Sequence, residues 1–251
     1  MIKKEKNYSA ALLVIGNEIL SGRTKDKNIN FIADRCTKIG IDLKEVRVIE
    51  DDKKEIIANV KVLSKKFDYV FTTGGIGPTH DDITAKSISK AFKVRYEFHP
   101  KAYSLLENYY GKVKFNDGRK KMAKMPRGSS LIDNPASAAP GFKTKNVFSL
   151  PGVPSILQSM APNCKKYLIH GFKTHSKTIN LETVESKIAK DLSKIQIKFS
   201  KYVNIGSYPF FRLGKIGVSV VLRSQSKKKM DLCLKEIVKS VKQKKIKTFD
   251  Y

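Results

Sequence analysis

Long apolar runs are missing from this 251-residue sequence: none approaches the roughly 18 residues that a membrane-crossing helix needs. Cysteine is scarce. Cys36, Cys164 and Cys233 stand far apart, form no C-x-x-C pair and have no histidine at ligand spacing, so no cysteine metal centre is indicated. Cys36 and Cys233 fall on apolar helical faces, and buried, reduced thiols are expected. No G-x-x-x-x-G-K-[ST] segment occurs, which argues against a P-loop nucleotidase, and no G-x-S-x-G elbow is present. The start, Met1-Ile2-Lys3-Lys4-Glu5-Lys6-Asn7, lacks the apolar centre and cleavage site of a signal peptide, so a cytoplasmic location is expected. Arginine is scarce as well. Of 50 basic residues, 8 are arginine and 42 lysine, set against 23 acidic ones, for a net charge of +27. Such a charge would suit nucleic acid, but nucleic-acid interfaces favour arginine forks, and these lysines are spread along the whole chain. The expectation is weak attraction for anionic ligands, with no specific nucleic-acid partner and no membrane.

The most informative segment runs from Thr72 to Thr84 and reads T-T-G-G-I-G-P-T-H-D-D-I-T. An apolar run over residues 68–73 breaks into three glycines and a proline, passes two adjacent carboxylates, and restarts as a helical pattern at Ile83. A strand that breaks into glycines and resumes as a helix is a common way to hold phosphate, because glycine backbone approaches closely and its N–H groups face the anion. The carboxylates would repel phosphate unless a cation stood between, or unless they held hydroxyl or ring N–H groups of the ligand.

The rest of the chain reads as alternating strands and helices. Strands are expected at residues 8–15, 41–49 and 68–73. Helices are expected from Asn28, as cap, to Gly40, and over 52–66, 83–92, 101–110 and 155–168, with a short basic helix before Pro126. Residues 131–132 and 147–150 look like strands, and 134–141 is too rich in proline and small residues for either state. This order implies an α/β domain with a mainly parallel sheet over residues 1–170. From residue 171 the pattern becomes strand 178–183, helix 185–193, strands 202–207 and 216–222, helix 229–241 and strand 246–249. That is the βαββαβ order of a small ferredoxin-like α/β subdomain over 171–251.

Two glycine loops stand at strand ends, Gly16–Gly22 and Gly74–Thr84, and in such sheets these ends line one crevice. Backbone at Gly16, Gly74, Gly75 and Gly77, with the hydroxyls of Ser21, Thr79 and Thr84, is expected to bind ligand. Asp81, Asp82 and Glu18 are hard oxygen ligands suited to Mg²⁺ or a similar ion, which would neutralise phosphate and activate water. Asp82 is alternatively the cap of the helix that follows. His80 is a base candidate or an exposed loop residue. The run Arg119–Lys124 reaches phosphate or is a solvated helix face. Asn134 and Ala138 in one loop, and Pro151 and Gly152 in another, supply exposed amides suited to a flat polar ligand such as a pterin or purine.

Together these residues resemble the MoaB/Mog (molybdopterin-binding) domain superfamily, and more closely the N-terminal domain of the competence/damage-inducible protein family, CinA. The resemblance is carried by G-N-E-I-L-S-G-R-T at Gly16–Thr24, D-D at Asp51-Asp52, the Thr72–Thr84 loop, N-P-A-S-A-A-P-G-F at Asn134–Phe142 and L-P-G-V-P at Leu150–Pro154. The stretch Ile205–Phe211 is similar to the companion subdomain of CinA-type proteins and of eukaryotic FAD synthases. The resemblance implies a Rossmann-like three-layer αβα domain with a pterin- or nucleotide-binding crevice, in which Asp82 is the essential aspartate and Asp52 a second acid. It also implies a pyrophosphatase acting on ADP-ribose or FAD with Mg²⁺ or Co²⁺. The alternative is a protein that binds or adenylylates molybdopterin, without that activity. A homo-oligomer, dimer or trimer, is implied too. Since the sequence stops at Tyr251, nicotinamide-nucleotide deamidation and FAD synthesis are not expected.

Overall fold

The computed structural model describes residues 7–212 and 214–249; the charged N-terminal residues and the end at Tyr251 lie outside them. The chain divides after Gly171 into two compact units.

The first unit runs β1 (Tyr8–Ile15), α1 (Asn17–Leu20), α2 (Asn28–Lys38), β2 (Ile41–Ile49), α3 (Lys53–Lys66), β3 (Tyr69–Thr73) and α4 (Thr84–Ala91). It continues β4 (Tyr96–Phe98), α5 (Pro100–Tyr110), α6 (Asp117–Lys121), β5 (Lys124–Pro126), β6 (Ser130–Ile132), β7 (Gly141–Thr144), β8 (Val147–Leu150) and α7 (Pro154–Met160). Its main sheet has the order β2-β1-β3-β8-β7-β6; the first four strands are parallel, β7 is antiparallel to β8, and β6, antiparallel to β7, again runs with the first four.

Side chains alternate across a strand, so β1 feeds both faces of the sheet. Ala11, Leu13 and Ile15 join the layer built by Ile56, Val60 and Leu63 of α3, Ile88 of α4 and Leu106 of α5. Ala10, Leu12 and Val14 join the opposite layer with Ile32 and Cys36 of α2 and Leu157 and Met160 of α7. Burial on both faces is why β1 is continuously apolar rather than alternating. Phe148 of β8 is fully buried and touches the rings of Phe71 and Tyr69, with centroids 5.2 and 6.1 Å away.

Several elements depart from the sequence expectation. Helix 155–168 is α only to Met160 and then tightens into a 3₁₀ segment, Ala161–Tyr167, because Pro162 has no N–H to continue the α ladder. Residues 141–144 form β7, joined to β8 by a two-residue turn in which Lys145 takes φ +52°, where glycine is usual. Asn28 does not cap α2; Asp26 accepts the Ile29 N–H instead, at 2.7 Å.

The second unit runs β9 (His175–Leu181), α8 (Glu185–Phe199), β10 (Val203–Arg212), β11 (Lys215–Ser224), α9 (Lys227–Gln243) and β12 (Thr248–Phe249). Its antiparallel sheet has the order β10-β11-β9-β12, the ferredoxin-like one, covered by α8 and α9 through Ile188, Met230, Cys233 and Ile237. Strand β10 continues past Pro209, which a position at the sheet edge tolerates. All three cysteines are free and buried, and burial pushes the Cys36 and Cys164 thiols up to about 12. Among the described residues no helix is long and apolar enough to cross a membrane.

Candidate functional site

The chain leaves β1 to form β2 on one side and later β3 on the other. Loops after β1 and β3 therefore part, and leave a crevice at the carboxyl ends of the strands. Cross-links hold its walls. Gly16 N–H donates to the Ile49 carbonyl at 3.1 Å, Gly74 N–H to the Leu150 carbonyl at 3.1 Å, and Thr84 N–H to the Gly75 carbonyl at 2.9 Å. Asn17 N–H donates to Asp51 Oδ2 at 2.9 Å. The glycines at 74 and 75 are obligatory: φ is +98° and +67°, and a Cβ would stand 2.1 Å from the Ile15 carbonyl oxygen and 2.2 Å from Thr84 Oγ1 respectively.

Asp51, which is not among the acids expected to act, lies near enough to Glu18, Asp81 and Asp82 to feel their charge. Burial first, and then the charges of Glu18, Asp81 and Asp82, push the Asp51 carboxyl above its ordinary value, against the opposing pull of the Asn17 N–H. The segments carrying Glu18 and Asp82 thus converge on Asp51. Asp52 takes another role. Its Oδ1 accepts the N–H groups of Lys54 and Glu55 at 2.7 and 3.0 Å, making it the cap of α3. Two adjacent aspartates cannot be told apart in sequence; the turn between β2 and α3 sends one to the helix and the other to the crevice. Asp52→Ala should lower the melting temperature by about 2–4 °C and leave ligand affinity unchanged, checked by thermal melts and calorimetry.

Asp51 makes a second prediction. Its folded pKa is raised, so its favourable contribution is complete at low pH and is lost as pH rises through that value, above the usual aspartate figure of 3.8. Asp51→Asn keeps an acceptor for the Asn17 N–H. It should therefore stabilise the protein at neutral pH, with the gain vanishing in acid, as urea midpoints across the pH range will show.

Asp82 does not cap α4, whose cap position is Ile83. Its Oδ2 turns back and accepts the Thr79 N–H at 2.8 Å together with the Thr79 hydroxyl. The neighbouring Thr79 side chain, then the residue's own backbone N–H and the charges of His80 and Lys121, hold the Asp81 carboxyl below the usual range. Glu18 is folded over Gly16, with Oε1 2.6 Å from where a Cβ would be. The acids are thus spoken for separately, and the expected metal set of Asp81, Asp82 and Glu18 does not form. Among the described residues no three His, Cys, Asp or Glu side chains stand close enough together to hold an ion. These residues do not fit a resident metal. Mg²⁺ is commonly held by one or two carboxylates plus substrate phosphates, an arrangement that needs no cluster of three protein acids.

The other expected contacts divide. Gly77 and Pro140 line one small hollow with Gly75 and Asp82. Thr84 is fully buried beneath Gly75 and cannot touch a ligand. Ser21 is exposed and donates to the Glu18 carbonyl at 3.3 Å. Asn134 is used inside its own loop: its Nδ2 donates to Ser137 Oγ and the Ala139 carbonyl, both at 2.8 Å, and its Oδ1 accepts two N–H groups. Ala138 packs on the core. Pro151 is half-buried, and the carbonyl of exposed Gly152 accepts from Asn28 Nδ2 at 2.8 Å. Asn28 had no place in the expected site. It is 3% exposed, and its Oδ1, with the Thr73 and Thr84 hydroxyls, is buried without a hydrogen-bond partner. Those three orphaned oxygens all border the Gly74 loop and its Gly152 neighbour.

Comparison with known proteins settles the family. Residues 11–170 match the family described as a probable molybdopterin binding domain. The chain belongs to that family. Residues 173–250 match the FAD synthase middle domain. A protein of Archaeoglobus fulgidus is 32% identical over 198 residues, 79% of this chain and 84% of its own length. A protein named probable FAD synthase from Caenorhabditis briggsae is 28% identical over 92% of this chain; the match spans 49% of that longer protein. The solved structure of the protein CinA, of unknown function, from Thermoplasma acidophilum superposes with a TM-score of 0.61 at 32% identity, over 65% of this chain and all 100% of that one. The chain is thus a CinA-like molybdopterin-binding-type domain followed by a region homologous to FAD synthase.

Proposed function

We propose that the crevice binds a phosphate-bearing nucleotide or pterin and hydrolyses the diphosphate of ADP-ribose or FAD, taken up as its Mg²⁺ or Co²⁺ complex. The observation that carries this reading is that the two glycine loops meet at the strand ends, where Gly74 abuts the Ile15 carbonyl, with Asp51 near enough to Glu18, Asp81 and Asp82 to feel their charge. Backbone N–H groups at Gly75 and Gly77 hold phosphate. The carboxylates that would repel bare phosphate instead meet the cation it carries. Water attacks phosphorus, the bridging P–O bond breaks, and the products are AMP with ribose 5-phosphate from ADP-ribose, or AMP with FMN from FAD. Asp51, whose carboxyl burial and neighbouring negative charge push above its ordinary value, accepts the proton of the attacking water. Asp82 positions that water and the cation. Incubation of the purified chain with ADP-ribose and with FAD, in either metal, tests the reading: release of AMP supports it, and turnover no greater than that of Asp82→Ala rejects it.

The family match over residues 11–170 favours a second reading, in which the same crevice binds or adenylylates molybdopterin and hydrolyses nothing. Calorimetry with molybdopterin and with ADP-ribose separates the two, because the ligand the crevice is shaped for should bind far more tightly.

A further inference from the structure

Beside Asp82 lies a cleft of about 380 Å³ between α4, the β4–β5 pair and α6, and no step of the proposed hydrolysis uses it. Its lining includes Lys86, Lys120, Lys121 and Lys124, with His80 and the rings of Tyr96 and Phe98. We propose that this cleft is a second anion subsite, which takes the distal phosphate of a diphosphate whose other phosphate lies on the Gly75–Gly77 loop.

Four observations support it. The cleft is continuous with the glycine loop, because Asp82, Tyr96, Lys121 and Lys124 line both this cleft and the hollow formed with Gly75 and Gly77. Two of the lysines are fixed in place: the Lys121 ammonium donates to the Thr79 carbonyl, and the Lys124 nitrogen stands 4.5 Å over the Phe98 ring. Positive charge there is under-compensated. Asp117 pairs with Lys120 at 3.6 Å, whereas among the described residues Lys86 and Lys124 form no ion pair and Lys121 acts on Asp81 only through its charge. One turn along α4, the Lys90 ammonium is pushed below its ordinary value by contact with Lys53 and by the charges of Lys53 and Lys86. Lastly, Tyr96 is kept a hydroxyl donor, since burial and the Asp82 charge raise its pKa.

The subsite rests on the glycine loop being a phosphate cradle, and it specifies the substrate class: a ligand with two linked phosphates rather than one. Calorimetry with inorganic pyrophosphate and orthophosphate, as magnesium salts, tests it on the full chain. Wild type should prefer pyrophosphate by about tenfold or more, the scale of one charge-assisted contact. Lys86→Gln combined with Lys124→Gln should remove that preference while the melting temperature holds, and Lys86→Arg with Lys124→Arg should restore it. An unchanged preference in the glutamine pair overturns the proposal, as does an equal loss from Lys61→Gln with Lys65→Gln, exposed lysines further along α3. The result is separable from catalysis. A chain that shows this lysine-dependent preference but hydrolyses neither ADP-ribose nor FAD keeps the subsite and loses the activity. A chain that hydrolyses them with an unaltered KM in the glutamine pair keeps the activity and loses the subsite.

Discussion

Gly74→Ala is expected to reduce the unfolding free energy by about 3 kcal/mol or more, read from urea titration. The new methyl would meet the Ile15 carbonyl oxygen at 2.1 Å, in a backbone already at φ +98°. That oxygen cannot move aside. It belongs to the last residue of β1, a strand paired to β2 on one edge and β3 on the other. Gly22→Ala is the matched control: its φ is +72°, but nothing lies within 4 Å of the added carbon. Only the left-handed backbone penalty applies there, about 1 kcal/mol. Equal losses at the two sites would show that close approach to β1 is not what position 74 demands.

Asp82→Asn is expected to lower turnover of ADP-ribose or FAD by about 10²–10⁴-fold with little change in melting temperature. The amide oxygen can still accept the Thr79 N–H, so the loop keeps its shape while the charge is removed. The loss should then appear in kcat. Asp52→Ala provides the contrast, because it removes the cap of α3 and leaves the crevice charge in place. If Asp82→Asn turned over normally and Asp52→Ala were dead, the two aspartates would have exchanged the roles assigned to them.

Much of the architecture could be read before any coordinates. The apolar runs at 8–15 and 147–150 and the helical spacing of Ile56, Val60 and Leu63 are local signals, and each became the element it suggested. Elements whose signal is not local were missed. The three-residue strands β4 and β5 pair residues thirty positions apart in places, as Tyr96 does with Pro126, and are too short to show a period. The turn before β8 places lysine where glycine is usual, so nothing in the sequence marked it. In the site, the glycine loops were legible because three glycines, a proline and two acids have few other uses. The division of labour within Asp51-Asp52 was not, nor was the arrival of Asn28 from α2 at the Gly152 carbonyl.

Sequence by itself determined the longer strands and helices, and that two glycine loops follow β1 and β3. Backbone stereochemistry and apolar periodicity act over a few residues, and those residues are adjacent in the chain. Only the tertiary structure decided which acids share a field, because the pKa of Asp51 depends on burial and on charges more than thirty residues away at Glu18 and about thirty at Asp81 and Asp82. It also decided that Glu18, Asp81 and Asp82 are held apart as metal ligands, and that lysines from α4, α6 and β5 face one cleft. Electrostatic coupling follows distance through space, and distance between remote segments is fixed by how helices pack on the sheet.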